Sequence, residues 1–164
     1  KVGHTLDNLQ RDVCGFTKSH KKVQQKKDES KQYLEVMNME LRSQEVRTLA
    51  PENDPLKMGM GWKVEDLAKP QIMVESTFGD SHPGSAHLDQ FVKEAVQAVN
   101  THGGKAARYF ATDMCDGIAQ GHDGINYSLP HRDAIVNLVE AQANASVYDG
   151  GVFIASCDKS VPAC

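Results

Sequence analysis

The sequence predicts an α/β fold in which three parallel strands alternate with two amphipathic helices in the order β-α-β-α-β. Three short segments rich in apolar residues, 71–75, 106–111 and 150–155, have the length and composition of strands. The two segments between them carry apolar residues at helical spacing. Strands separated by amphipathic helices form a parallel sheet with right-handed crossovers, so we expect one such sheet here.

The first strand and helix are defined by Pro70 before them and a glycine pair after them. The strand at 71–75 reads Gln-Ile-Met-Val-Glu. The helix that follows has apolar residues at i, i+3, i+4, i+7, i+8 and i+11, and Gly103-Gly104 stands in its C-cap position. Its continuous apolar face consists of Leu88, Phe91, Val92, Ala95, Val96 and Val99.

The second strand and helix repeat this pattern. After the strand at 106–111, we expect a helix to begin near Ser128 as its N-cap, with Pro130 in its first turn. The strand at 150–155 is a continuous apolar run, which predicts burial on both of its faces. The apolar face of the second helix consists of Ile135, Val136, Val139 and Ala143.

Residues 1–40 form a basic and polar extension that differs from the rest of the chain. The run 18–31 contains one apolar residue, Val23, so it could bury little surface, and we expect a solvated helix or a disordered segment. A nucleic-acid-binding tail is the alternative, but interspersed acidic residues and the lack of Arg-aromatic interleaving argue against it. Residues 41–164 are predicted to be an incomplete α/β portion of a larger domain.

Composition excludes several classes of protein. The net charge of -4 over 164 residues argues against a dedicated nucleic-acid binder. No apolar run approaches the roughly 20 residues that cross a membrane. Four cysteines without a CxxC pair argue against a disulfide framework or a four-thiolate zinc site, and they favour a reducing, cytoplasmic location.

Polar residues with ligating side chains follow each predicted strand. In open α/β sheets, ligands bind outside the carboxyl ends of the strands, so the segments 76–85, 113–124 and 156–160 should meet at one edge. Cys157, Asp158 and Lys159 directly follow the third strand, and Asp116 lies in the second segment. Carboxylates suit a hard cation such as Mg²⁺, and thiolates suit iron or zinc. The alternative for the Cys-Asp-Lys triplet is a strand-end turn with a buried thiol and a solvated ion pair.

Histidines and the remaining cysteines give further candidates. His82 and His122 are expected on the cleft-facing loops, where they could bind a substrate carboxylate. The histidine spacings match no zinc finger or HExxH helix, which argues against a zinc site. Cys115 neighbours Asp116 but would point the opposite way on an extended backbone, so we expect it to pack. Cys14 and Cys164 are expected to be incidental thiols.

Several motifs resemble the dihydroxy-acid dehydratase / phosphogluconate dehydratase family. The resemblance extends over residues 41–163, which would form the beginning of that family's N-terminal α/β domain. The motifs that carry it are Leu41-Arg-Ser-Gln-Glu-Val-Arg47, Pro83-Gly-Ser-Ala-His-Leu88, Cys115-Asp-Gly-Ile-Ala-Gln-Gly-His-Asp-Gly124, Tyr127-Ser-Leu-Pro-His-Arg132 and Ser156-Cys-Asp-Lys-Ser-Val-Pro162.

The resemblance implies an iron-sulfur cluster beside a Mg²⁺ ion. By position, Cys157 would be a cluster ligand, and Asp116, Asp158 and a carbamylated Lys159 would bind Mg²⁺. Members with a [2Fe-2S] cluster have a cysteine where this chain has Gly84, so [4Fe-4S] is favoured over [2Fe-2S]. Family chains run to several hundred residues, and a further cluster cysteine, a glutamate ligand and the catalytic serine base are expected beyond Cys164.

The resemblance also implies a reaction. The expected activity is that of a hydro-lyase that dehydrates a 2,3-dihydroxy carboxylate to a 2-oxo acid, in a homo-oligomer that binds a small hydroxy acid and neither nucleic acid nor membrane. Dihydroxy-acid dehydratase of branched-chain amino-acid biosynthesis is favoured over a sugar-acid (aldonate or 6-phosphogluconate) dehydratase. A non-catalytic truncated paralogue that acts as a binding module is the alternative from another class. The 164-residue chain by itself is expected to be inactive, and molten or prone to aggregation.

Overall fold

The computed structural model describes residues 41–164, so the predicted extension at 1–40, with Cys14, lies outside the described residues. The described chain contains three strands, seven α-helices and one 3-10 helix. In chain order they are α1 Arg42–Leu49, α2 Asn53–Gly59, α3 Val64–Leu67, β1 Gln71–Ser76, α4 Leu88–Thr101, β2 Lys105–Phe110, α5 Asp116–Ala119, the 3-10 helix Asp123–Tyr127, α6 Ser128–Ala145, β3 Gly150–Ile154 and α7 Ser160–Ala163.

The three strands form one parallel sheet in the order β2-β1-β3, which confirms the predicted α/β class. β1 is the central strand, where Gln71 pairs with Lys105 of β2 and Ile72 pairs with Gly150 of β3. Pro70 precedes β1 and lacks an N–H, but its carbonyl accepts a hydrogen bond from Lys105 N at 2.8 Å. β1 therefore holds β2 and β3 in register.

The hydrophobic core lies between the central strand and helix α6. Met73 of β1 packs with Ile135 and Val139, which are four residues apart and share one face of α6. Ala111 and Ala163 complete this buried cluster. Of the predicted apolar face of α6, Ile135, Val139 and Ala143 therefore pack in the core, whereas Val136 is exposed.

Helix α4 packs against β1 and β2, as its apolar periodicity predicts. Leu88 and Val92 are buried, whereas Phe91 remains 52% exposed. Gly104 ends the connection to β2 in a confined position, because a Cβ there would lie 2.9 Å from Val99 Cγ1. The predicted apolar face is thus only partly covered by the described chain.

Two expectations about local structure are wrong. β3 is not buried on both faces: Gly150 to Phe153 are exposed, because β3 is an edge strand and the described chain places little against it. Ser128 is the first residue of α6 and not its N-cap, since Tyr127 occupies that position at the end of the 3-10 helix. The Ser128 hydroxyl instead donates a hydrogen bond to Asp116.

None of the helices in the described range 41–164 is long and apolar enough to cross a membrane.

Candidate metal centre

The ends of the three strands meet at one edge of the sheet. Thr77 N donates to Ile154 O at 3.3 Å, and Ala111 N donates to Ser76 O at 3.2 Å. Ser76 Oγ adds a hydrogen bond to Ile154 O at 2.8 Å. These contacts fix the starting points of all three following loops, so side chains from distant parts of the sequence come together as the topology predicts.

The first cluster, which we call the carboxylate cluster, consists of Asp116, Asp158 and Lys159. Lys159 Nζ lies 2.9 Å from Asp116 Oδ2 and also donates to Asp158 Oδ2. The second oxygen of Asp116 accepts a hydrogen bond from Ser128 Oγ at 2.6 Å. One ammonium group therefore bridges two carboxylates that are separated by 42 positions in the chain.

Hydrogen bonds set the charge states in the carboxylate cluster. The Ser128 hydroxyl and then the Lys159 ammonium hold the pKa of Asp116 below its ordinary value. The two carboxylates, Asp158 first and Asp116 second, raise the pKa of Lys159. As an ammonium, Lys159 has no lone pair to offer a metal, so it neutralises the carboxylates instead of extending their ligand set.

The second cluster, which we call the thiol-imidazole cluster, consists of His82, Cys115 and Cys157. One ligand atom from each side chain lies within 4.8 Å of the ligand atoms of the other two. His82 comes from the loop after β1, Cys115 is the N-cap of α5, and Cys157 follows β3. Burial raises the pKa of the Cys157 thiol, and the nearby Asp113 and Cys115 raise it further.

His82 is buried beside the carboxylate of Asp113. Its Nε2 lies 3.3 Å from Asp113 Oδ2, and the two side chains are only 1% and 2% exposed. Although this distance is short, neither side chain forms a hydrogen bond of normal geometry within the described chain. Buried polar atoms without partners are costly, so this pair is typical of a site completed by a ligand.

A tight turn brings His82 into this position. A Cβ on Gly84 would lie only 3.0 Å from His82 Nδ1, so the imidazole occupies the space beside residue 84. Ser156 Oγ donates to Gly84 O and ties the turn to the loop after β3. A side chain at residue 84 would therefore push the imidazole away by a few tenths of an ångström.

The structure brings together most of the predicted site residues. Asp116, Asp158 and Lys159 form one cluster, and His82 and Cys157 belong to the other. His122 remains within its own loop: Nδ1 accepts a hydrogen bond from Gly124 N at 3.0 Å, and Nε2 lies 3.2 Å from Ile118 O. Its expected role in substrate binding is still a prediction, as are the roles of the other residues.

The expectation that Cys115 only packs, on the side opposite Asp116, misses its place beside His82 and Cys157. It assumed that the extended backbone continues through Asp116, but α5 begins at that residue. Because the backbone changes conformation here, the two neighbouring side chains belong to adjacent clusters. The Cys115 thiol lies near Cys157, and the Asp116 carboxylate pairs with Lys159. The start of a helix at Asp116 was not predicted from the sequence.

The residues of both clusters lie within a region that is similar to known proteins. The family model described as "Dihydroxy-acid/6-phosphogluconate dehydratase N-terminal" matches residues 69–164. A protein named dihydroxy-acid dehydratase from Methanococcus aeolicus is 41% identical over 113 residues, which are 69% of this chain and 20% of the relative. A protein of the same name from Dehalococcoides mccartyi is 40% identical over 113 residues, with the same coverage.

A third relative extends the comparison. The protein named dihydroxy-acid dehydratase from Pyrococcus abyssi is 41% identical over 103 residues, which are 63% of this chain and 19% of the relative. The match to these curated relatives therefore spans about a fifth of their length.

Proposed function

The chain belongs to the dihydroxy-acid/6-phosphogluconate dehydratase N-terminal family, and we propose that it is part of a hydro-lyase that converts a 2,3-dihydroxy carboxylate to a 2-oxo acid. The relatives described above are all named dihydroxy-acid dehydratase, which favours that activity over dehydration of a sugar acid. In this proposal the substrate is a branched dihydroxy acid of amino-acid biosynthesis. In the same proposal the enzyme is a cytoplasmic homo-oligomer.

The observation that carries the proposal is that the carboxylate cluster, with hard oxygen ligands, lies beside the thiol-imidazole cluster, with softer sulfur and nitrogen ligands, at one edge of the sheet. Cys157 belongs to the thiol-imidazole cluster, and the next residue, Asp158, belongs to the carboxylate cluster. Thiolates and imidazole suit iron, whereas carboxylate oxygens suit Mg²⁺. Two different metal groups held side by side would allow one to acidify the C–H and the other to assist departure of the neighbouring hydroxyl.

The carboxylate cluster fits a Mg²⁺ ion once Lys159 is carbamylated. Carbamylation replaces the ammonium by an anionic oxygen group, so the cluster then offers three carboxyl-type ligands in place of two carboxylates and a cation. The Ser128 hydroxyl holds one oxygen of Asp116 and leaves the other directed at Lys159. The residues present therefore match the ion in charge and ligand type.

The thiol-imidazole cluster fits an iron-sulfur group, with Cys157 as the proposed ligand. Gly84 leaves no thiol at that position of the turn, which favours [4Fe-4S] over [2Fe-2S] in this proposal. When bound, the two metal groups supply Lewis-acid polarisation of the substrate carboxylate, its 2-hydroxyl and its departing 3-hydroxyl.

The chain's own residues position the reacting molecule in this proposal. His82 and His122, on two strand-end loops, are candidates to bind the substrate carboxylate. Ser128 donates a hydrogen bond to one oxygen of Asp116, so the orientation of this carboxylate is set before substrate arrives. The dehydration is balanced without an oxidant: C2 loses a proton, the 3-hydroxyl takes up one proton and leaves as water, and the resulting enol tautomerises to the 2-oxo acid.

The test uses the full natural protein that contains this sequence, purified without oxygen. We expect turnover of dihydroxyisovalerate and little turnover of gluconate or xylonate, and an absence of turnover on all three would contradict the proposal. Lys159→Arg keeps a positive charge but cannot be carbamylated, so it should lose Mg²⁺ and activity while iron is retained. Cys157→Ser should lose iron and visible absorbance, and a matched Cys164→Ser variant should keep both.

A further inference from the structure

His82, Cys115 and Cys157 are close enough to share one metal. Ligands 2.0–2.3 Å from a tetrahedral metal lie roughly 3.3–3.8 Å apart. The three ligand atoms lie within 4.8 Å of one another, so side-chain shifts of about 1 Å would complete the geometry. No large movement of the three loops is required.

The environment of His82 indicates a ligand instead of a packing role. The ring is buried, and neither of its nitrogens has a hydrogen-bond partner within the described chain. Asp113 lies 3.3 Å from Nε2, on one side of the ring. Metal-binding histidines usually have a carboxylate at one nitrogen and the metal at the other, so Nδ1 is the nitrogen available to a metal.

The turn at Gly84 supports the same conclusion. Residue 84 has no side chain, and His82 Nδ1 fills the space in which its Cβ would lie. Residue 84 thus supplies no side-chain ligand, but His82 Nδ1 lies next to it. Ser156, the neighbour of Cys157, holds the turn through the carbonyl of Gly84.

We propose that His82 and Cys115 are ligands, together with Cys157, of one metal centre with mixed thiolate and imidazole coordination. Each ligand comes from a different strand-end loop, and Asp113 orients the imidazole. The inference rests on the proposed function in one respect: Cys157 is also the proposed ligand of the iron-sulfur group. Metal coordination is measured below without the dehydration reaction.

The experiment is a Co²⁺ titration of the metal-free full natural protein under anaerobic conditions. We expect thiolate-to-cobalt charge-transfer absorption that Cys115→Ser reduces by about half, because one of two sulfur ligands is lost. His82→Gln should weaken Co²⁺ binding at least about tenfold, since loss of even an outer-shell partner costs that much. Cys164→Ser and His102→Gln, which alter a thiol and an exposed imidazole outside the cluster, should change neither quantity.

A glycine variant tests the role of the ring without removing a ligand. Gly84→Ala should displace His82 and weaken Co²⁺ binding, whereas Gly59→Ala should not, because a Cβ at Gly59 meets nothing within 4 Å. Circular dichroism of each variant separates ligand loss from unfolding. On the unaltered metal-free protein, a thiol oxidant such as diamide, which accepts the two electrons and two protons, should form a Cys115–Cys157 disulfide, and Co²⁺ should protect against it.

The outcomes are distinguishable from failure of the proposed function. Unchanged cobalt spectra and affinity in both folded Cys115→Ser and His82→Gln proteins would overturn this inference, even if the enzyme dehydrates its substrate. The absence of the disulfide in the unaltered protein would also count against it. Conversely, the expected cobalt spectra in a protein without dehydratase activity would support the metal centre and contradict the reaction.

Discussion

The carboxylate of Asp149 binds Ser43 at two points, across 106 positions of the chain. Ser43 N donates to Oδ1 at 2.9 Å, and Ser43 Oγ donates to Oδ2 at 2.7 Å. The same Oδ2 accepts a hydrogen bond from Gln71 N at 2.7 Å. Asp149 therefore caps the first turn of α1 from a distance and joins that helix to the start of β1.

Replacing Asp149 should loosen α1 locally. In Asp149→Ala, three donors lose a charged acceptor, and we expect a loss of about 2 kcal/mol in the stability of this contact. Hydrogen exchange measured by mass spectrometry should then be about 30-fold faster in peptides that cover Arg42–Leu49. Asp133→Ala is the control, because the exposed Asp133 pairs only with its neighbour Arg132. Equal exchange in the two variants would contradict the capping role.

A second prediction concerns the pH dependence of stability through Asp66. Hydrogen bonds from Lys105 first and Lys69 second hold the pKa of Asp66 well below its usual range. The ionised form is thus favoured in the folded state, so its stabilising effect is present above the ordinary value of 3.8 and is lost as the pH falls below it. Asp66→Asn should lower the melting temperature at neutral pH and have a smaller effect near pH 2. Asp89→Asn, which removes an exposed pair with Lys93, should have little effect at either pH.

Glu75 should affect stability in the opposite direction. Its side chain is fully buried without a hydrogen-bond partner in the described chain, and burial raises its pKa above the ordinary 4.5. Protonation is thus favoured in the folded state, so the folded protein loses stability as the pH rises from 4.5 through the raised pKa. Glu75→Gln should flatten this loss in thermal unfolding between about pH 4 and pH 8, and Glu140→Gln at an exposed position should not. Parallel curves for all three proteins would contradict the prediction.

The thiol of Cys164 should be unreactive in the folded protein. Burial first, and then the negative charge of Glu75, raise the pKa of Cys164 to about 12 from 9.0. The thiolate fraction near pH 8 should therefore be about a thousandfold lower than in the unfolded chain. Iodoacetamide labelling followed by mass spectrometry should modify Cys164 slowly before denaturation and rapidly after it. Rapid labelling of the folded protein would show that the thiol is accessible and ionised.

The isolated 164-residue chain should expose apolar surface. Three phenylalanines are 42–52% exposed, and the edge strand β3 has little packed against it. We therefore expect the isolated chain to bind a hydrophobic dye and to unfold without a sharp transition. The full natural protein serves as the control. Cooperative unfolding of a monomeric isolated chain without dye binding would contradict this prediction.

The sequence predicted the three strands and the two long helices, α4 and α6, because their signals are local, whereas the short helices were not predicted. Leu88 and Val92 mark the buried side of α4, and Ile135 and Val139 mark that of α6, since helical spacing depends only on neighbouring turns. The burial of β3 was not predictable in this way. Its apolar composition indicates a strand, but the number of elements that cover a strand depends on the rest of the protein.

The site shows the same distinction between local and long-range information. The triplet from Cys157 to Lys159 could be recognised because its residues are consecutive and follow a strand. The place of Cys115 in the thiol-imidazole cluster depends on the start of α5 at the next residue. The pairing of His82 with Asp113 joins two loops, and the two residues are 31 positions apart. Neither contact has a periodic pattern in the sequence.

The strand order also determines the order in which the cluster residues can come together during synthesis. His82 and Cys115 are synthesised early and are brought together once β1 pairs with β2. Cys157, Asp158 and Lys159 arrive only when β3 pairs with the opposite edge of β1, after α6 has been made. If the proposed metal sites are correct, neither can gather these ligands before β3 pairs with β1, so metal uptake would report that this strand pairing has formed.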